Sequence, residues 1–437
     1  MEHAASVRTT SRPRHGARPL VVAAIAAGLV LRLAFAFGYW TGRPLTHDEV
    51  EYLRLAQNIA DGRGFTYGEA ARGTSPQFGR APFYPLFLSA IVRTVGPAFE
   101  ADGETPRSEA IGAVQLAQSL LGGAAIWLVA LIASRAAGPR AGVAAAWLSA
   151  CYPPLVWVGA YVFSEALFIP LALGAVALLG FVLEDRRFAD GARPALVLAA
   201  GAVSGVAALT RPLMLFFLAF AAVWLLRRRC VRSLAVLALG AILVVAPWTA
   251  RNYVATGRFV LVASEGGVTF WTGNNSLARG EGDLAANADM KRAEIALRSQ
   301  YPGWSAEQLE RVYYREAWRF ISEHPGGWLL LLARKCFYTF VPAGPSYRLH
   351  SDRYFYVSVV SYLLLLAAAV PGFLQLRRRA TAPRVLWLVA GASVLASVVF
   401  LPQERFRIPV LDPTLIVCAA AWAAALPVAR RLVPAQD

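Results

Sequence analysis

Apolar runs recur along almost the whole chain, each closed by a short charged or proline-rich segment. Runs long enough to cross a bilayer lie at 20–40, 110–133, 141–160, 164–183, 194–210, 212–226, 233–250, 355–376, 384–401 and 408–427. A helix needs about 20 residues to cross the hydrocarbon, with about 17 as the lower limit. Two further apolar stretches, 82–96 and 327–341, fit either a span or a helix at the interface.

The charges between the runs decide those two. With the N-terminus in the cytoplasm and both stretches kept outside, the inner segments are 134–140, 184–193, 227–232, 376–384 and 429–434, and each is basic. If either stretch crossed alone, basic loops would be exported, against the positive-inside rule. The pattern therefore predicts an all-α polytopic membrane protein with about 10–12 transmembrane helices, ten in the economical count. Residues 1–437 form one integral membrane domain with both termini cytoplasmic. Two long loops face outward, 41–109 with juxtamembrane helices and 251–353 with an amphipathic helix.

Composition agrees. Of 437 residues, 57% are hydrophobic and 16% are charged, where a soluble domain carries about a quarter charged residues. The net charge is +16, nearly all of it from arginine at the ends of apolar runs. Headgroup contact explains this pattern, and no nucleic-acid-binding motif accompanies it. The first 19 residues read as a cytoplasmic tail. The four cysteines, Cys151, Cys230, Cys336 and Cys418, lie far apart and read as small buried hydrophobes, with no disulfide or zinc framework.

Candidate chemistry gathers on the outer side. Thr46-His47-Asp48-Glu49 has the form of a capping box, with Thr46 as N-cap and Glu49 reaching back. The helix is predicted to run through Ala60 and stop at Gly62, with Asp48, Tyr52, Leu55 and Ile59 on one face. Glu51 is expected to be a solvated side chain. In Gly79-Arg80-Ala81-Pro82-Phe83-Tyr84-Pro85, a cation precedes a proline-started helix and could meet a lipid phosphate. Glu165, after Ser164, stands at the outer end of a long apolar helix, where a carboxylate is costly unless paired or wet.

Arg211, Arg251, Arg405 and Arg407 also fall at outer span ends. Each alone suits snorkelling. Together they suggest an anion site, because the arginine fork matches phosphate. In the second loop, Gly266-Gly267-Val268-Thr269-Phe270-Trp271-Thr272-Gly273-Asn274-Asn275 reads as a tight turn, or as a sugar-binding mixture of one aromatic face and two amides. Ser305-Ala306-Glu307-Gln308 then fits a second capping box. Leu309, Val312, Ala317, Phe320 and Ile321 follow at helical spacing, up to His324-Pro325-Gly326-Gly327. No nucleotide-binding loop is present, so an outward-facing enzyme needs a substrate already activated in the membrane.

In order along the chain, THDEVEYLRLAQNIADGRGF, GRAPFYPLFLSAI, FSEALF, ALTRP, PWTARNY, GGVTFWTGNN and ERFRIPVL resemble bacterial polytopic glycosyltransferases of the GT-C superfamily. The likeness is to the protein-mannosyltransferase-like group that includes the aminoarabinose transferases of lipid A, and it covers nearly the whole chain. It implies transfer of a sugar from a polyprenyl-phosphate carrier to a lipid, glycan or protein acceptor, at the outer face of a bacterial plasma membrane.

By that resemblance Asp48 is the key acid and inverting general base, with Glu49 beside it, and Glu165 is the second acid. Arg80, Arg211, Arg251 and Arg405 are expected around the donor phosphate. Tyr52, Tyr84, Trp271, Asn274 and Asn275 are expected at the substrate. A divalent metal is used by some relatives and not by others. No soluble domain follows the last span here, which is expected to disfavour a protein acceptor. The competing readings are a transporter or flippase of lipid-linked glycans and a non-catalytic scaffold of an envelope complex. The former predicts charges near mid-membrane and internal pseudo-symmetry. Neither is evident in the sequence, and the scaffold leaves two ordered outer loops unexplained.

Overall fold

A computed structural model of the chain describes residues 17–66, 79–183, 193–281, 287–304, 306–342, 351–379, 381 and 383–427. The described residues form helices and no strand beyond one isolated bridge, Phe99 to Pro106. In chain order the first nine helices are α1 (Ala17–Ala34), α2 (His47–Ala60), α3 (Phe83–Val95), α4 (Ser108–Ala137), α5 (Pro139–Cys151), α6 (Pro153–Trp157), α7 (Ser164–Leu183), α8 (Pro194–Thr210) and α9 (Leu213–Arg227). Then follow α10 (Val231–Thr256), α11 (Gly266–Gly273), α12 (Ala288–Ser299), α13 (Ala306–Glu323), α14 (Pro325–Phe340), α15 (Asp352–Leu376), α16 (Arg384–Val399), α17 (Glu404–Arg407) and α18 (Leu411–Ala425).

Among the described residues, five helices are long and apolar enough to cross a membrane: Ala17–Tyr39, Ser108–Ala137, Ser164–Val182, Val231–Thr256 and Asp352–Leu376. The other five predicted runs form shorter helices. At 1.5 Å per residue, the 17 residues of α8 reach about 25 Å and the 15 of α9 about 22 Å. Prolines set these limits. Pro153 and Pro154 break the 141–160 run after α5, and Arg211-Pro212 separates α8 from α9. Both ambiguous stretches are helical, as α3 and α14.

The bundle core joins α4, α5, α7, α8, α9, α16 and α18 through alanine, valine and leucine. Small residues let backbones touch, as is usual between membrane helices. A Cβ on Gly201 would lie 2.1 Å from the Leu237 carbonyl of α10, and one on Gly372 would lie 1.8 Å from the Cys418 carbonyl. A second cluster, with Tyr52, Leu53, Ala56, Tyr84, Leu88, Val92, Val114, Val162 and Leu167, seats α2 and α3 on α4 and α7. A third joins α11, α12 and α13.

Several expectations change. Only Cys418 is buried; Cys151 and Cys336 are exposed and Cys230 is intermediate, all four being free thiols. The glycines of 266–273 form helix α11, because they allow close contact rather than a turn. A Cβ on Gly267 would meet the Glu310 carbonyl at 2.6 Å, and one on Gly273 the Phe400 carbonyl at 1.7 Å. The predicted stripe of α13 is found, with Leu309, Val312, Ala317 and Ile321 buried along with Tyr313. Pro325 ends α13 by starting α14. The Ser305 cap falls outside the described residues.

A buried charge lies within the first span. Arg32 of α1 is 3% exposed. It donates to the carbonyls of Gly28 (2.9 Å), Ser149 (3.3 Å) and Ala150 (3.5 Å), so its cation closes the carbonyl end of α5. Gly122 leaves room for it, since a Cβ there would lie 2.5 Å from the guanidinium Nε.

Candidate active site

The site is built outward from α2. The Thr46 hydroxyl accepts from the Glu49 amide (3.4 Å), and Glu49 Oε2 accepts from the Thr46 amide (2.8 Å). The capping box of the sequence is therefore present, and the helix ends at Ala60 before Gly62, whose φ is +77°. Glu49 does more than cap. It is 1% exposed, and its Oε1 accepts from the Val162 amide at 2.9 Å. Burial raises its carboxyl, with the hydrogen bonds from Thr46 and Val162 opposing.

The connection before α7 is fixed from the other side by α4. Gln115 donates to Ala160 O (2.9 Å), and Gln118 donates to Gly159 O (3.0 Å) and Tyr161 O (2.7 Å). Glu49 thus ties α2 to the start of α7. The buried face of α2 is centred on Glu49, Tyr52, Leu53 and Ala56, which leaves Asp48 at the edge where polar groups reach it.

Asp48 is held by two arginines from distant parts of the chain. Arg80 Nη2 donates to Oδ1 at 2.8 Å, and Arg405 Nη1 donates to Oδ2 at 2.6 Å. Burial by itself raises the Asp48 carboxyl. The charges of Arg405 and then Arg80, with their hydrogen bonds, overcome this and hold it well below the usual carboxylate range.

Arg80 also pairs with Glu51 (Nε to Oε2, 3.1 Å), lies 3.7 Å from Glu265 and stacks over the Tyr52 ring at 4.6 Å. Glu51 is therefore part of the site and not a solvated side chain. The signal was there in the sequence, since Asp48 and Glu51 are three residues apart and share one side of a helix.

The second acid sits next door. Glu165 is 1% exposed, and Arg211 Nη1 lies 2.7 Å from its Oε1. Arg211 also donates to Ser164 Oγ (3.1 Å), which in turn accepts from the Tyr52 hydroxyl (3.3 Å). Tyr52 and Ser164 thus join the two acid–arginine pairs, and the Glu165 charge acts on Arg405 as well.

Four residues expected at substrate have their side chains engaged within the protein. Tyr84 is fully buried and donates to Gln118 Oε1 at 2.7 Å. Trp271 packs on Tyr313 with ring centroids 5.7 Å apart. Asn274, fully buried, donates to Phe270 O (2.8 Å) and Val399 O (3.0 Å) and accepts from Trp328 and Lys335 (3.0 Å each). Asn275 donates to Trp271 O at 2.7 Å. Their short polar side chains are engaged by backbone ends of α11 and α16, which composition alone could not reveal. Arg251 covers the rings of Trp248 (4.8 Å) and Phe65 (5.9 Å), where Arg80, Arg211 and Arg405 gather on the acids. Arg407, grouped with the outward arginines by sequence, is 3% exposed and points inward.

By sequence, no family model and no curated protein matches the chain. By structure it is similar to the archaeal oligosaccharyltransferase AglB from Archaeoglobus fulgidus in complex with an inhibitory peptide and a dolichol-phosphate. The TM-score is 0.57 at 14% identity, over 97% of this chain and 52% of that one. A second structure of the Archaeoglobus fulgidus oligosaccharyltransferase, in complex with Zn and sulfate, gives 0.53 at 16% identity, over 95% and 50%. The chain has the GT-C fold. It spans about half the length of the archaeal oligosaccharyltransferase. ArnT from Cupriavidus metallidurans bound to undecaprenyl phosphate is also similar, with a TM-score of 0.46 at 16% identity, over 93% of this chain and 78% of that one.

The clustered acids raise the question of a metal. His47, Asp48 and Glu51 each bring one ligand atom within 4.8 Å of the others. The fit is poor. Both Asp48 oxygens and Glu51 Oε2 already accept from guanidinium groups, and those two fixed cations would repel a third.

Proposed function

We propose that the protein is a glycosyltransferase that takes its sugar from a polyprenyl-phosphate carrier and passes it to an acceptor hydroxyl at the outer face of the membrane. The observation that carries this reading is the Asp48 carboxylate held between Arg80 and Arg405, one oxygen to each. A base and two phosphate-matching cations share one spot at the end of a helix bundle, and a similar fold occurs in an oligosaccharyltransferase solved with a dolichol-phosphate.

The chemistry follows from exchange of ion pairs. When the carrier phosphate docks, its oxygens compete for the two guanidinium forks, which suit them bidentately. With its cations shared, the Asp48 carboxyl rises back toward the ordinary range and becomes a stronger base. Asp48 then takes the proton of the acceptor hydroxyl as that oxygen bonds to the anomeric carbon. The bond from that carbon to the phosphate oxygen breaks, and its electron pair leaves on the phosphate, where Arg80 and Arg405 stabilise the charge. Attack opposite the leaving group inverts the centre. Arg211, neutralised by Glu165, holds the neighbouring wall with Ser164 and Tyr52.

The transporter reading gains little from Arg32, whose bonds to backbone carbonyls lock it in place. The acceptor hydroxyl belongs to a lipid, a glycan or a protein. The test supplies radiolabelled polyprenyl-phosphate sugars to membranes containing the protein and, separately, sugar nucleotides. Consumption of the lipid-linked donor alone is expected. No consumption, or an Asp48→Asn variant that transfers at the wild-type rate, would overturn the reading.

A further inference from the structure

Three successive residues of α17 face three different ways. Arg405 reaches Asp48, with its Nε donating to Gln403 Oε1 at 2.9 Å. The Phe406 ring lies between guanidinium groups, 5.3 Å from Arg405 and 5.0 Å from Arg211. Arg407 turns into the core, where its Nε donates to Asp412 Oδ1 at 2.8 Å. Residues two apart on a helix point to opposite sides, so Arg405 and Arg407 cannot share a face.

A helix of four residues has one turn and no stability of its own. Something outside it must set where Arg405 points. Asp412 is fully buried at the start of α18, where a helix N-terminus favours an acid. Its other oxygen, Oδ2, accepts from the Tyr152 hydroxyl at 2.9 Å. The Arg407 guanidinium lies 3.5 Å from the centre of the Tyr362 ring on α15. Asp412 is thus held by the junction of α5 and α6 and by α18, and α18 is itself locked to α15 through Gly372. A buried ion pair adds little net stability over an apolar pair of the same size. Its retained effect is orientation.

We infer that Arg407, Asp412 and Tyr152 are positioning residues that fix α17 so that Arg405 meets Asp48 and the lipid phosphate. The inference rests on the proposed reading for its ligand and deepens it. None of the three touches the phosphate. They act through the single turn that joins Arg407 to Arg405.

The test measures binding of polyprenyl phosphate to the full chain in lipid nanodiscs for Tyr152→Phe and Asp412→Asn, each with Arg405 intact and with Arg405→Gln. With Arg405 intact, binding is expected to weaken about five- to twentyfold, within the range seen for coupled neighbours. In the Arg405→Gln background the same changes should alter binding by less than about twofold. Equal losses in both backgrounds, or no loss in either, would overturn the inference. Tyr152→Phe removes one hydroxyl and guards against misfolding of Asp412→Asn.

A second arm needs no ligand. Asp48→Cys and Arg405→Cys, with the native cysteines replaced by serine, are joined with a short bifunctional thiol reagent. Asp412→Asn should lower the cross-linking yield several-fold, and an unchanged yield would count against positioning. If the wild type binds no polyprenyl phosphate while cross-linking still depends on Asp412, the functional reading fails and the positioning stands.

Discussion

Replacing Asp48 with asparagine should move catalysis and lipid binding in opposite directions. The carboxylate accepts from Arg80 and Arg405. A hydrogen bond to a charged group is worth about 1.5–3 kcal/mol. Asp48 and Arg405 are 26% and 37% exposed, so water screens both contacts, and a combined value of about 1–2 kcal/mol is the appropriate scale. That energy must be given up when a phosphate takes the two arginines. The neutral amide of the Asp48→Asn variant holds the arginines without an ion pair to break, so polyprenyl phosphate should bind about 5–30 times tighter, at 1.4 kcal/mol per tenfold. Transfer should fall about 10²–10⁴-fold, the usual contribution of a general base. The assay pairs equilibrium binding of polyprenyl phosphate with single-turnover transfer from the lipid-linked sugar. If binding weakens in step with transfer, Asp48 is merely holding the site together and the exchange of ion pairs is wrong.

Other consequences can be checked singly. Arg211→Ala strands the buried Glu165 carboxylate and should cost about 3–5 kcal/mol. Removing the acid as well, in the double variant Glu165→Leu with Arg211→Leu, should restore part of the loss of thermal stability. Gly273→Ala would press a methyl into the Phe400 carbonyl and should destabilise the α11–α16 contact by at least about 1–3 kcal/mol, seen as a lower melting temperature. Burial pushes Glu404 up to about 7 against the opposing charge of Arg407. A carboxyl raised on folding stabilises the protein below its unfolded value and loses that effect as pH rises. Stability should therefore decline between about pH 4.5 and 7 at about 1.4 kcal/mol per unit, and Glu404→Gln should flatten the slope. Finally, chelators should leave transfer within about twofold of its starting rate, because guanidinium groups occupy the carboxylates that a cation would need; abolished transfer that returns with a divalent ion would refute this.

The candidate site was legible where local rules operate. Thr46 and Glu49 form the cap that their spacing demands, and α13 buries the stripe that its periodicity marks. Asp48, Glu165, Arg80, Arg211 and Arg405 do come together. What failed to show in the sequence is pairing over long separations. The Arg405–Asp48 bond joins residues 357 positions apart and the Tyr152–Asp412 bond joins residues 260 apart, and no periodicity reports either. The sugar-like signature of Trp271, Asn274 and Asn275 admits a second use for a related reason. Amides that suit hydroxyls suit backbone carbonyls equally, and the nearby end of α16 supplied them.

Two apparent excesses in the sequence, too many outward arginines and too many carboxylates, explain one another. Asp48 and Glu165 each neutralise a cation, and a guanidinium so held needs little reorganisation before it meets an anion. A bare arginine pair would repel itself and drift into the headgroups. A bare acid would be driven to its neutral form, with no charge to offer an acceptor proton. Held together, each keeps the other charged and in place. The buried Arg407–Asp412 pair then has the distinct duty proposed above, because both side chains are buried and engaged with each other. Its value lies in where it leaves Arg405, and that is why its effect should vanish once Arg405 is gone.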